Sequence, residues 1–136
     1  MTRLRITKEI EDEIDALYLV QPDVADAAEV LLRNLYENLD LLGHLHEPST
    51  YPLHTPVFEV KLFVEAQQSG YNIYSLKFKD LNGFLADHRM FLGFDAQHDI
   101  YYALALTHRS IAYDTNHDSY RQMLARYEQR AIPKIS

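Results

Sequence analysis

The chain contains no cysteine, so neither a disulfide framework nor a thiolate metal site can form. Long apolar runs are also missing, because no stretch approaches the roughly 18 apolar residues that a membrane-spanning helix requires. The N-terminus becomes polar within a few residues and lacks the apolar stretch of a signal peptide. Together these absences predict a soluble, cytoplasmic protein with no membrane association.

Positive charge is scarce in the first third of the chain, where Arg33 is the single cation among many carboxylates between residues 9 and 40. The net charge is −7, whereas nucleic-acid-binding proteins are usually basic because they neutralise phosphates. Most of the cations lie between residues 77 and 130, namely Lys77, Lys79, Arg89, Arg109, Arg121, Arg126 and Arg130. The acidic and basic residues are therefore predicted to occupy different halves of the fold.

The first half of the chain is predicted to be mainly helical. Residues 3–6 alternate between polar and apolar and can form a short edge strand. Apolar residues at helical spacing predict two helices within residues 8–42, with Thr7 as the N-cap of the first and Gly43 ending the second. Because the link between them is short, the two helices are expected to lie antiparallel as a hairpin.

The segment 44–56 is rich in proline and histidine and is predicted to be a loop. Its three histidines are not expected to bind a metal, because no pair of carboxylates at helical spacing accompanies them. No cofactor is predicted for any other part of the chain either.

Alternating apolar and polar residues predict an antiparallel sheet over residues 57–109. Its strands are predicted at residues 57–64, 72–79, 89–94 and 99–108. A C-terminal helix is predicted over residues 116–130, capped by Thr115 or Asn116. The predicted fold class is α+β in a single domain over residues 1–136: a helical hairpin packed on a mainly antiparallel four-stranded sheet.

A polar cluster follows the last predicted strand. The buried run 99–106 is followed by Thr107-His108-Arg109, and Tyr113-Asp114 comes soon after. Histidine and arginine are side chains that transfer protons and bind phosphates, and strand ends are positions where rigid folds present such groups. This cluster is therefore the candidate functional site.

The order of these elements, together with Thr107-His108-Arg109 and Tyr113-Asp114, resembles the RelE and HigB branches of the RelE/ParE toxin superfamily. The stretch Gly93-Phe94-Asp95-Ala96-Gln97, with the strand and helix that follow it, is also similar to the YafO branch. The resemblance covers roughly residues 57–130. It implies a RelE-like fold and the toxin of a bacterial type II toxin–antitoxin module.

The resemblance further implies a ribosome-dependent endoribonuclease that cleaves mRNA in the ribosome and so inhibits translation. Its partners would be a cognate antitoxin protein and ribosome-bound mRNA. The ParE branch provides an alternative, because ParE-like toxins bind and poison DNA gyrase without nuclease chemistry, and an acidic chain suits that function better. A third interpretation is a domain that mainly binds other proteins, since strand edges can accept a partner segment.

Cleavage of RNA by its own 2′-hydroxyl needs a base, an acid and cations around the phosphate. The residues predicted to provide this chemistry are His108, Arg109, Arg89 and Tyr113. His108 would transfer protons, Arg109 and Arg89 would hold the phosphate, and Tyr113 would stack on a base or donate a proton. The residues predicted to bind RNA are Lys77, Lys79 and Arg121.

Each of these residues also has a simpler structural interpretation. His108 can cap the edge of the sheet, and Arg109 can form a surface ion pair with Asp114. Arg89 can pair with Asp87 or with a carboxylate of the helical hairpin, and the tyrosines can be core residues. In a regular strand His108 and Arg109 face opposite sides, so they can cooperate only if the strand ends or bulges there.

Overall fold

The computed structural model of the chain describes residues 2–38 and 58–135. The predicted end of the second helix at residues 39–43 and the histidine-rich loop lie outside the described residues. The described part has an α+β fold. Its strands are β1 (Arg3–Ile6), β2 (Phe58–Leu62), β3 (Ile73–Lys79), β4 (Leu85–Asp95) and β5 (Ile100–His108). Its helices are α1 (Lys8–Tyr18), α2 (Pro22–Glu37), α3 (Val64–Gln68), α4 (Arg109–Ala112) and α5 (Asp118–Gln129).

The strands form one mixed sheet in the order β1-β5-β4-β3-β2. The sequence predicted four antiparallel strands, but the sheet has five, because β1 joins it by pairing in parallel with β5. The other three pairings, β2 with β3, β3 with β4 and β4 with β5, are antiparallel. The possible edge strand at residues 3–6 is thus confirmed, and it lies beside the last strand of the chain.

Two short helices were not predicted, and the bounds of the last helix differ from the prediction. Val64 was predicted to end a strand but begins α3, and α4 follows β5 directly. The N-cap of α5 is His117, not Thr115 or Asn116. The His117 ring nitrogen Nδ1 accepts the Ser119 backbone N–H at 3.0 Å, which is the role a capping Asp or Asn oxygen normally takes.

The sheet has two covered faces. The hairpin face carries Leu76, Met90 and Leu106, which form one apolar cluster with buried residues of α1 and α2. The C-terminal face carries a second apolar cluster, in which residues of the sheet pack against α3, α4 and α5. That cluster consists of Phe63, Ala66, Ile73, Phe91, Leu104, Ala105, Ala112, Tyr120, Met123, Tyr127 and Ile132. Side chains alternate along a strand, so residues two positions apart share a face. A polar residue can therefore be assigned to the face whose apolar cluster contains its neighbour two positions away.

Thr7 connects the first helix to the sheet. Its hydroxyl oxygen accepts the Ile10 backbone N–H at 3.3 Å, and its hydroxyl donates to the Ala103 carbonyl at 2.7 Å. The Thr7 side chain is buried. If its hydroxyl is removed, the Ile10 N–H and the Ala103 carbonyl both lose a hydrogen-bond partner, and water cannot easily take its place.

Replacing Thr7 with alanine is therefore expected to lower the free energy of unfolding by about 1–2 kcal/mol. Urea denaturation followed by circular dichroism measures this change. The Thr7→Ser variant keeps the hydroxyl and is the matched control, for which we expect most of the stability to be retained. Equal losses in the two variants would show that the methyl group, and not the hydroxyl, is what the fold requires.

The free edge of β5 is covered by an ion pair where β1 ends. The register of β1 ends at Ala103, opposite Ile6, but β5 continues to His108. Glu13 accepts the Leu106 backbone N–H at 3.3 Å, and Arg126 donates to Glu13 and to the Leu104 carbonyl, both at 2.8 Å. Burial raises the pKa of Glu13 although the Arg126 guanidinium favours its charged form. This pair joins α1 to α5 across the edge of the sheet.

Candidate functional site

Three polar residues lie side by side across the centre of the sheet. Lys77 on β3 is the Cα partner of Arg89 on β4, and Arg89 is the partner of Thr107 on β5. Phe91, two residues after Arg89, belongs to the cluster on the C-terminal face, so strand alternation places all three residues on that face. We call Lys77, Arg89 and Thr107 the basic row.

Arg89 is a buried cation that has no counter-ion among the described residues. Its exposed fraction is only 6%, and its Nη1 donates to the carbonyls of Ala86 and His88, each at 3.0 Å. Its Nε is buried and has no hydrogen-bond partner, and within the described residues no carboxylate forms an ion pair with it. In the part of the chain that the structure describes, Arg89 forms neither the predicted alternative pair with Asp87 nor one with the helical hairpin. A buried, unneutralised guanidinium is costly, and an anionic ligand would remove that cost.

A bulge in β4 explains how this arginine becomes buried. Lys77 is opposite Arg89 and Lys79 is opposite Leu85, so one β3 residue faces the three β4 residues Ala86–His88. The extra residues displace the strand and direct the Ala86 and His88 carbonyls toward the guanidinium. The side chain of Arg89 therefore folds back along its own strand.

Tyr113 lies on the same face as the basic row. Its hydroxyl forms a 3.1 Å hydrogen bond with the Ser75 hydroxyl, and its ring packs edge-on against Phe63 and Phe91 at centroid distances of 5.5 and 5.9 Å. Ser75 precedes Lys77 by two residues on β3, so the two share a face and their Cα atoms are roughly 7 Å apart. The structure thus brings together a phenol, a lysine and an unneutralised arginine.

His108 lies on the opposite face of the sheet. Met90 and Leu106 are partners on the hairpin face, and His88 and His108 are the next partners two residues along. The Nδ1 of His108 accepts the Ser110 backbone N–H at 3.1 Å and so caps α4. The structure therefore separates His108 from the site residues on the C-terminal face.

Arg109 begins α4 immediately after β5 and is exposed. Within the described residues it forms no ion pair, so the predicted pair with Asp114 is absent. Strand β5 does end at His108, which is the condition under which His108 and Arg109 could act together. Their side chains nevertheless have different surroundings. Lys79, at the end of β3, is also exposed.

The predicted RNA-binding residue Arg121 forms an ion pair with Asp118 on the exposed surface of α5. The other two arginines at this end of the chain are likewise paired. Arg126 pairs with Glu13, and Arg130 pairs with Glu9 at 2.6 Å. These three arginines thus form ion pairs, whereas within the described residues neither Lys77 nor Arg89 does.

The sequence analysis missed a second polar cluster, which we call the Asp87 cluster: Asp87, His88, His108 and Gln21. Asp87 Oδ1 accepts from His88 Nδ1 at 2.8 Å, and its Oδ2 accepts from Gln21 Nε2 at 3.2 Å. His108 Nε2 lies 3.5 Å from the same Oδ2. Burial opposes ionisation of Asp87, but the hydrogen bonds from His88 and Gln21 outweigh it and lower the pKa of the carboxyl. In the sequence, the signal of this cluster is the consecutive polar pair Asp87-His88 before an apolar run. That pair can be recognised as part of a cluster only when the bulge in β4 is known.

No protein-family model, curated protein or solved structure matches the chain. Within residues 2–38 and 58–135, no group of three or more histidine and carboxylate side chains is arranged to hold a metal ion. None of the helices in the same residues has the length and apolar character needed to cross a bilayer. The function must therefore be argued from the geometry of the C-terminal face.

Proposed function

We propose that this protein is the toxin of a bacterial type II toxin–antitoxin module and cleaves mRNA on the ribosome. The observation that carries the proposal is Arg89, a buried guanidinium beside Lys77 that has no counter-ion within residues 2–38 and 58–135. Arginine with a neighbouring lysine is a pair well suited to the crowded charge of a phosphodiester. The order of elements, with a helical hairpin before the antiparallel strands and a helix after them, agrees with the RelE/ParE resemblance of the sequence.

In this proposal the basic row binds the scissile phosphate. Arg89 and Lys77 neutralise the charge that grows on the phosphate oxygens as the ribose 2′-hydroxyl attacks. Tyr113 is the proton donor on this face, because its hydroxyl can exchange its hydrogen bond with Ser75 for one with the 5′-oxygen of the P–O bond that breaks. The proton of the attacking 2′-hydroxyl passes to solvent water, and the phenolate regains its proton from solvent. His108 is not assigned this role, since its ring lies on the hairpin face and caps α4.

The net charge of −7 favours the alternative of a ParE-like toxin that binds DNA gyrase. That function would use the arginines of α5 as a protein interface. Arg121 and Arg126 are, however, already paired with Asp118 and Glu13, and Arg126 also donates to a backbone carbonyl. Within the described residues Lys77 and Arg89 form no ion pair and lie next to each other on the sheet, so the nuclease is the function that the geometry supports better.

Controlled expression in bacteria, followed by mapping of transcript 5′ ends, tests the proposal. We expect new ends confined to translated regions, and we expect them to disappear in the Tyr113→Phe variant, which keeps the ring and loses only the hydroxyl. Intact messages together with double-strand breaks in the chromosome would instead support the gyrase alternative. Normal growth without either lesion, at a protein level confirmed by immunoblot, would contradict both functions.

A further inference from the structure

We propose that Asp87 is a positioning residue, whose carboxylate fixes the β4 bulge and thereby places Arg89 in the anion-binding geometry of the C-terminal face. The proposal rests on the proposed function, because it assumes that Arg89 binds a phosphate. It adds a residue on the other face of the sheet that never touches the ligand. It also gives the Asp87 cluster a role.

The bulge is held from both sides of the sheet. On the C-terminal face, the carbonyls of Ala86 and His88, the residues on either side of Asp87, accept from Arg89 Nη1. On the hairpin face, the carboxylate of Asp87 accepts from His88 and Gln21. A rotation of this short segment would therefore break contacts on both faces together.

Three separate elements anchor the carboxylate. Gln21 is the N-cap residue of α2, His88 belongs to β4, and His108 stands where β5 passes into α4. The rings of His88 and His108 pack edge-on, with centroids 5.3 Å apart. This contact further restricts the movement of the two histidines around the Asp87 carboxylate. A bulged segment has fewer ladder hydrogen bonds than a regular strand, so side-chain anchors of this kind decide its conformation.

Asparagine at position 87 would keep the size of the side chain but disturb these anchors. One carboxylate oxygen becomes an NH₂ group that cannot accept, so at least one of the donors from Gln21, His88 and His108 loses its partner. Because the Asp87 side chain is 35% exposed, this change should not unfold the protein. It should allow the bulge to move and Arg89 to leave its buried position.

The experiment measures binding of a single-stranded oligoribonucleotide with 2′-O-methyl sugars, which cannot be cleaved, by fluorescence anisotropy. Asp87→Asn is expected to weaken binding about tenfold, which lies within the range of coupling between residues of one network. Asp15→Asn, a neutralisation of an exposed carboxylate on α1, is the matched control and should leave binding unchanged. Gln21→Ala should weaken binding about threefold and provides a second test should Asp87→Asn fail to fold.

A double variant separates positioning from general damage. In the Arg89→Met background, Asp87→Asn should weaken binding no further, because its effect acts through the guanidinium. Additive losses, or unchanged binding in folded Asp87→Asn and Gln21→Ala proteins, would overturn the positioning role while leaving the phosphate site intact. Unchanged binding in Arg89→Met itself would instead refute the phosphate site, and the proposed function with it.

Discussion

The Arg89→Met variant is expected to cleave mRNA about 100-fold more slowly than the parent protein, or slower still, because one preorganised donor to a developing charge contributes at least this much. Methionine is unbranched and similar in length, so it can occupy the space of the buried arginine stem. The Nη1 hydrogen bonds to Ala86 and His88 are lost, but so is the cost of a buried cation. We therefore expect a folded protein with a defective site.

Single-turnover cleavage of a defined message in a reconstituted translation system measures this rate. Arg33→Met is the matched control, because it also removes one arginine but from the exposed surface of α2, and its rate should equal that of the parent. A folded Arg89→Met protein with the parental rate would show that the buried guanidinium has no part in the reaction.

The second large effect concerns two buried tyrosines that differ in their hydrogen bonds. The Tyr127 hydroxyl accepts the Asn72 backbone N–H at 3.1 Å and donates to the Pro133 carbonyl at 2.6 Å. The Tyr101 hydroxyl is buried with no partner among the described residues. Burial raises the pKa of both phenols, in agreement with surroundings that disfavour charge.

Tyr127→Phe is expected to lower the free energy of unfolding by about 2–4 kcal/mol, because it leaves the buried Asn72 N–H and the half-buried Pro133 carbonyl without partners. Tyr101→Phe is the matched control, and it should leave stability unchanged or raise it by about 1 kcal/mol, since it removes a polar group that is already unsatisfied. Urea denaturation of the three proteins measures the difference. Equal effects of the two substitutions would mean that hydrogen bonding of these hydroxyls does not determine stability.

The helical hairpin could be predicted because its signals are local. Thr7 caps α1, Pro22 opens α2, and the apolar residues between recur at helical spacing. The faces of β3 could be predicted for the same reason, since alternation alone places Lys77 opposite to Leu76. The pairing of β1 could not, because its partner lies at the far end of the chain. Helices α3 and α4 are too short for any periodicity to reveal them.

The candidate site was predictable in its residue types more than in its arrangement. Lys77, Arg89 and Tyr113 were selected because of their chemistry, and the structure places them on one face. The position of His108 depends on strand parity, which the sequence could not fix at the end of a strand. The burial of Arg89 and the proposed role of Asp87 both depend on the bulge, which no distinctive sequence pattern reveals.

The parallel pairing of β1 with β5 has a consequence for synthesis of the protein. The first strand to leave the ribosome has no neighbour in the sheet until Ala103 has also emerged, because β5 lies between β1 and β4. Thr107 and Tyr113 come later still, so a nascent chain interrupted before Ala103 lacks both the β1–β5 pairing and these two residues of the proposed phosphate site. Under the proposed function, cleavage activity would therefore appear only after Tyr113 has been synthesised.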